Sequence, residues 1–200
     1  MSQRLLLASQ SESRARLLRD ALVPFETVRA QVDEDAAKDA LDEEGVGPRN
    51  LADALAEFKA LKPSMRHPTD LVLGCDQTLE LADGSRVDKV ETRAEAAALL
   101  ARMSGTPHKL HSAAVIAEGG RPIWRHIESV TLHVRPLSPA FIDHYLDADW
   151  DECRWCVGCY RVEGPGAQLF SRITGSLFAV QGLPLLPLLD YLRTRSIIAA

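Results

Sequence analysis

The sequence predicts an α/β protein built on a mixed β-sheet. Short apolar runs of strand type alternate with segments of helical spacing, the pattern of parallel strands joined by helices. Two glycine-bearing turns, Ala82-Asp83-Gly84 and Glu118-Gly119-Gly120-Arg121, each separate two apolar runs and read as hairpins, which bring antiparallel neighbours into the sheet. No repeat or linker divides the 200 residues, so residues 1–200 are expected to form one domain.

Arg4–Ala8 reads as a buried strand. A loop with Ser9, Ser11 and Ser13 follows, then a helix on Leu17, Leu18, Ala21 and Leu22 that Pro24 closes. Phe25–Val32 reads as a second strand ending in Asp33-Glu34-Asp35. Residues 36–47 are acidic with two glycine breakers and read as a mobile loop or short helix. Asn50 is the candidate cap of a helix over Leu51–Leu61, ended by Pro63 and Pro68.

Leu71–Cys75 reads as a buried strand, and Leu79–Leu81 with Ser85–Val87 as the arms of the first hairpin. Thr92 and Glu95 form a capping box before a helix over Ala96–Met103. Leu110–Ala117 and Pro122–Val134 are the arms of the second hairpin. Ser138-Pro139 starts a helix to about Leu146, with proline at the favoured first position. Trp155–Val162 and Leu169–Ile173 read as strands, and Gly182-Leu183-Pro184 introduces a last helix to about Arg195.

Lys and Arg number 23 against 28 Asp and Glu, which argues against a basic face for a nucleic acid polymer. No apolar run approaches a membrane span, and the apolar run near the N-terminus is too short for a signal-peptide core. A cytoplasmic location without membrane contact is expected, with the four cysteines reduced.

Four constellations can carry chemistry. The loop from Ser9 to Arg16 lies between a strand and a helix, where N–H groups, hydroxyls and Arg14 or Arg16 suit phosphate oxygens; a capped helix with solvated arginines is the plainer reading. Asp76, in Gly74-Cys75-Asp76-Gln77, ends an apolar strand, where it can ligate a divalent cation, act as a base toward water, or open a turn. Lys59, Glu34 and the Asp88-Lys89 pair are scattered charges, each of which reads singly as surface. Cys153, Cys156 and Cys159, with Cys75, are enough thiols for zinc or an iron–sulfur cluster, but the spacing favours plain reduced thiols.

Taken together and in order, these segments resemble the Maf family of nucleoside triphosphate pyrophosphatases, from Leu5 to about Leu192. Leu7-Ala8-Ser9-Gln10-Ser11 resembles the family's opening phosphate loop, Val32-Asp33-Glu34 its V-D-E, Lys59-Ala60 its K-A and Gly74-Cys75-Asp76-Gln77 its G-x-D-[TQ]. Lys89, Ser104-Gly105, Arg135-Pro136-Leu137-Ser138 and Gly182-Leu183-Pro184-Leu185 fall where later signatures stand.

The resemblance implies hydrolysis of a nucleoside triphosphate to monophosphate and pyrophosphate with magnesium or manganese. It implies Asp76, Lys59 and Lys89 as catalytic groups, Glu34 and Asp76 as metal ligands, and Ser9, Ser11, Ser13, Arg14, Gln77 and Glu163 as substrate-binding groups. Ser13, Gln77 and Glu163 stand at positions that distinguish family subgroups; Gln77 and Glu163, with Cys156, resemble the 7-methyl-GTP subgroup. The implied fold is the elongated, inosine triphosphatase-like architecture, two lobes around a cleft, in a homodimer. Glu12 stands where the family loop has proline, Ala15 for an arginine, Asp88 and Val90 beside Lys89 for glycine and proline, Ser112-Ala113 for T-G, and Ser176 for an acid. The loop departures favour the alternative, a nucleotide-binding regulator of cell division without turnover.

Overall fold

The computed structural model describes residues 3–199. Seven strands form one mixed sheet: β1 (Leu5–Ala8), β2 (Glu26–Thr27), β3 (Leu71–Glu80), β4 (Arg86–Val87), β5 (Pro107–Glu118), β6 (Arg121–Val134) and β7 (Phe170–Thr174). Their order is β2-β1-β3-β5-β6-β7, with β4 also on β3. β1 runs parallel to β2 and β3, and the other pairings are antiparallel. The helices are α1 (Glu12–Asp20), α2 (Glu34–Glu43), α3 (Pro48–Arg66), α4 (Arg93–Met103), α5 (Pro139–Cys153), α6 (Leu177–Val180) and α7 (Leu185–Thr194). The expected mixed α/β class, both hairpins and the Thr92–Glu95 capping box are present.

The long strands pass through two cores. Leu71, Leu73 and Cys75 of β3 pack with α1, α7 and Ala114 and Ile116 of β5. Further along the same strand, Leu79 packs with α4, α5 and the far ends of β5 and β6. Because side chains alternate along a strand, Val72, Gly74 and Asp76 face the opposite side, where α3 lies. There the small residues Ala52, Ala56 and Ala60 meet Ala113, Val115 and Ala117 of β5.

That approach is close enough to require glycine at position 74. A Cβ built there would lie 2.1 Å from the Ala56 carbonyl oxygen and 2.6 Å from the Ala60 nitrogen. Backbone cannot yield as a side-chain tip can, so α3 would have to move off the sheet.

Three segments differ from the sequence reading, and a fourth takes one of the two forms it allows. The expected strand Phe25–Val32 pairs only at Glu26–Thr27, because β1, its neighbour, ends at Ala8; further on, Gln31 takes the left-handed region (φ 55). Of the loop and the short helix that residues 36–47 allow, the helix is present: most of them lie in α2, capped by Asp33, which accepts from the Ala36 N–H at 3.1 Å, with Glu34 and Asp35 at its positive end. None of its residues is buried, so no apolar stripe announced it.

Helix α3 starts at Pro48 rather than after Asn50 and continues through Pro63, whose missing N–H frees the Lys59 carbonyl from its helical bond. Buried Pro63 and Ser64 hold the last turn against the sheet. The expected strand Trp155–Val162 is two successive turns, in which the Cys156 N–H donates to the Cys153 carbonyl and the Cys159 N–H to the Cys156 carbonyl. The cysteine spacing of three is thus a turn period rather than the period of two that a strand requires.

Gly74→Ala is expected to lower stability by about 3 kcal/mol or more, or to prevent folding. The midpoint of chemical denaturation measures this, and a midpoint equal to the parent's would contradict the packing described.

Candidate active site

β1 ends at Ala8, which is paired with Gly74 in the middle of the longer β3. Ser9 therefore leaves the sheet beside Cys75 and Asp76 of β3, at the carboxyl end of the parallel pairing, where open α/β sheets bind ligands. Ser11 caps α1 by accepting from the Arg14 N–H at 3.4 Å, and the Ser11 N–H donates to Ser9 Oγ at 3.3 Å.

Arg14 is held on three sides. Its Nε donates to the Gly182 carbonyl at 2.8 Å, and Nη1 donates to Ser9 Oγ and to the Cys75 carbonyl, each at 3.1 Å. Gly182 has φ +95, and a Cβ there would lie 3.1 Å from Arg14 Nε, so both backbone conformation and space call for glycine. Ser13 Oγ donates to the Gln181 carbonyl at 3.2 Å.

Beside this loop lies an ammonium shared by two carboxylates. Lys59 Nζ donates to Asp76 Oδ1 at 2.6 Å and lies 3.0 Å from Glu34 Oε2. The side chains of Lys59 and Asp76 are only 9% and 11% exposed, whereas Glu34 is 46% exposed at the mouth. Lys59 reaches this point because Gly74 lets α3 rest on β3. Glu34 is carried by α2, which Arg86 of β4 grips through both carboxylate oxygens of Asp42 at 2.7 and 2.9 Å.

The second oxygens of Asp76 and Glu34 have no hydrogen-bond partner among the described residues. Two hard carboxylate donors, with other positions left to water and phosphate oxygens, suit magnesium or manganese. The donor chemistry therefore fits the divalent cation that the family resemblance implies.

Of the other sequence-selected residues, Gln77 faces away from Asp76, as alternation along β3 requires. Its amide nitrogen donates to Ser112 Oγ at 2.8 Å and to the carbonyls of Ala179 and Val180 at 2.9 and 3.1 Å. Glu163, in the loop after α5, lies 2.7 Å from Arg16 of α1. Lys89 is exposed in the segment between β4 and α4, without an ion pair or hydrogen bond among the described residues; its charge acts on Cys156.

Sequence reasoning missed three parts. The carbonyls of Gln181 and Gly182 bind through backbone, which leaves no side-chain signature. Ser112 links Gln77 to α6 by donating to the Ala179 carbonyl at 2.6 Å. Arg16 stood out only as a possible phosphate donor, and its partner is 147 residues away.

The cysteines separate into two places: Cys75 in the core with α1 and α7, Cys153 and Cys159 in the other core. Burial pushes the Cys75 thiol up to about 11, Cys156 to about 11 and Cys159 to about 12, so they are protonated at neutral pH. Glu12, at the loop's edge, is turned along α1 into an ion pair with Arg19.

A family model described as "Maf-like protein" matches residues 4–195. The chain belongs to the Maf-like family. A protein of Sphingopyxis alaskensis named nucleoside triphosphate pyrophosphatase is 52% identical over 189 residues, covering 94% of this chain and 96% of its own. One of the same name from Caulobacter vibrioides is 52% identical over 187 residues, covering 94% and 93%. Among solved structures, a nucleoside-triphosphatase, or dITP/XTP pyrophosphatase, of Mycobacterium abscessus aligns over 98% of this chain and 96% of its own, with 14% identity and a TM-score of 0.42. This Maf-like chain thus keeps the serine–arginine loop, Glu34, Lys59 and Asp76 in mutual reach, with Gln77 on the sheet's other face.

Gln77→Ala strips three hydrogen bonds between β3 and its partners in β5 and α6. It is expected to lower stability by about 1–3 kcal/mol in chemical denaturation. A stability equal to the parent's would contradict that anchoring.

Proposed function

We propose that the protein is a nucleoside triphosphate pyrophosphatase, a hydrolase of acid anhydrides that yields nucleoside monophosphate and pyrophosphate. The observation that carries this is the Asp76–Lys59–Glu34 cluster beside the serine–arginine loop. The family and the names of the two relatives support the same reaction.

The chain's own groups divide the work. Ser9 and Ser11 hydroxyls, the first-turn N–H groups of α1 and Arg14 bind the terminal phosphates, where the leaving pyrophosphate gathers negative charge. The bonds from Arg14 to Gly182 and Cys75 fix its guanidinium beforehand, so little reorganisation is needed on binding. Lys59 lowers the repulsion between Asp76 and Glu34 and, with Lys89, adds positive charge toward the phosphates. Asp76 takes a proton from the attacking water at the α-phosphorus. Glu34 and Asp76 would hold a divalent cation, magnesium or manganese, which supplies Lewis acidity toward the phosphate oxygens when bound.

The base is the finer part of the proposal. Glu163 offers a carboxylate to the N1–H and N2–H edge of a guanine-type base, and 7-methyl-GTP is the candidate substrate. The chain acts as a homodimer in this proposal, as the resemblance implies. The alternative of a regulator without turnover drew on Glu12, whose carboxylate is engaged by Arg19 along the helix.

A panel of nucleoside triphosphates with magnesium or manganese is expected to release pyrophosphate and monophosphate in equal amounts. Asp76→Asn is expected to reduce the rate at least about 100-fold while circular dichroism stays unchanged. Nucleotide binding without pyrophosphate release from any substrate would favour the regulator.

A further inference from the structure

The ion pair between Arg16 and Glu163 joins two parts of the chain 147 residues apart. Arg16 projects from α1, whose Ala15, Leu17 and Leu18 are buried in the core with α7. Glu163 stands in the loop after α5, next to the other core. Its neighbour Arg161 is pinned by buried Asp149, with Nε 3.3 Å from Oδ2 and a second guanidinium contact to Oδ1. The Gly164 N–H donates to the Arg161 carbonyl at 3.2 Å, and the Ala167 N–H to the Gly164 carbonyl at 3.1 Å. Both backbones are therefore set before any ligand arrives, and the pair reflects the fold rather than two side chains meeting in solvent.

The pair is partly exposed, 43% and 25%, and so contributes little to stability. Its consequence is electrostatic and local. Arg161, the nearest other cation on the same loop, is committed to Asp149 and Glu152. Among the described residues, Arg16 is the one partner of the Glu163 carboxylate; it occupies Oε1, and Oε2 has none.

We propose that Arg16 is a positioning residue for base selection: it orients Glu163 and cancels much of its charge, which weakens the site's preference for a cationic base over a neutral one. This rests on the reading of Glu163 as the group that faces the base. A guanine methylated at N7 carries a positive charge that GTP lacks, so the two nucleotides report directly on the field at Glu163. With Arg16 present, Glu163 acts chiefly as a hydrogen-bond acceptor. Without it, the uncompensated carboxylate attracts the cationic base more strongly.

The test is the ratio of kcat/KM for 7-methyl-GTP to that for GTP in the parent, Arg16→Met, Arg16→Lys and Glu163→Gln. The ratio of dissociation constants for the α,β-methylene analogues of both nucleotides supplies the same comparison without turnover. Arg16→Met is expected to raise the ratio about fivefold or more, Arg16→Lys to restore it toward the parent, and Glu163→Gln to lower it. In the Glu163→Gln background, Arg16→Met is expected to raise the ratio by less than in the parent, because only the direct field of Arg16 remains and its hold on the Glu163 carboxylate is gone; an equal rise in both backgrounds would show that Arg16 does not act through Glu163.

A ratio that stays or falls in Arg16→Met while Glu163→Gln shifts it would overturn the role of Arg16 and leave Glu163 as the base reader. A ratio that neither variant moves would overturn both. Circular dichroism and the conservative Arg16→Lys variant separate these results from misfolding.

Discussion

The ammonium of Lys59 between Asp76 and Glu34 is the interaction on which the site depends. Two carboxylates brought to one point repel each other, and burying an unpaired charge is costly. Lys59 resolves both problems at once, at 2.6 Å from one carboxylate and 3.0 Å from the other. Removing one member of such a buried pair typically costs about 3–5 kcal/mol, because its partner is left uncompensated. The arrangement constrains the fold in turn: α3 must lie on β3 closely enough for a lysine on its inner face to reach Asp76 in mid-strand. Gly74 and the alanines of α3 and β5 provide that closeness.

The site sits where the two cores meet on shared strands. β3 contributes Cys75 to one core, Leu79 to the other, and Asp76 and Gln77 between them. Each faces a different side: Asp76 meets Lys59 across the α3 side, while Gln77 anchors α6 across the other. Arg14 and Ser13 tie the start of α1 to the turn after α6. The serine–arginine loop is thus fastened to the turn after α6 and, through the Cys75 carbonyl, to β3, and the proposed reaction would use groups already fixed by the fold.

Much of this architecture was legible in the sequence, for reasons that particular residues make plain. The capping box of Thr92 and Glu95, the Asp-Gly and Gly-Gly hairpins and the apolar start of β3 follow from local chemistry and were read correctly. Residues 36–47 allow loop or helix because none of the residues of α2 is buried, and the turns of Trp155–Val162 read as a strand because buried turn residues are as apolar as strand residues. Proline at position 63 suggested a stop that tertiary packing overrode. At the site, the family resemblance selected residues that converge, Ser9, Arg14, Glu34, Lys59 and Asp76. It could not reveal the backbone carbonyls of Gln181 and Gly182 or the reach of Arg16 to Glu163, since these depend on approaches between distant segments.

In the proposed reaction, water attacks the α-phosphorus of a nucleoside triphosphate held between the serine–arginine loop and the Asp76 cluster. The most direct measurement is turnover in ¹⁸O-labelled water, with mass spectrometry of both products. Attack at the α-phosphorus puts the label in the nucleoside monophosphate and leaves the pyrophosphate unlabelled. Label in the pyrophosphate, or release of orthophosphate and nucleoside diphosphate in place of pyrophosphate and monophosphate, would contradict the account.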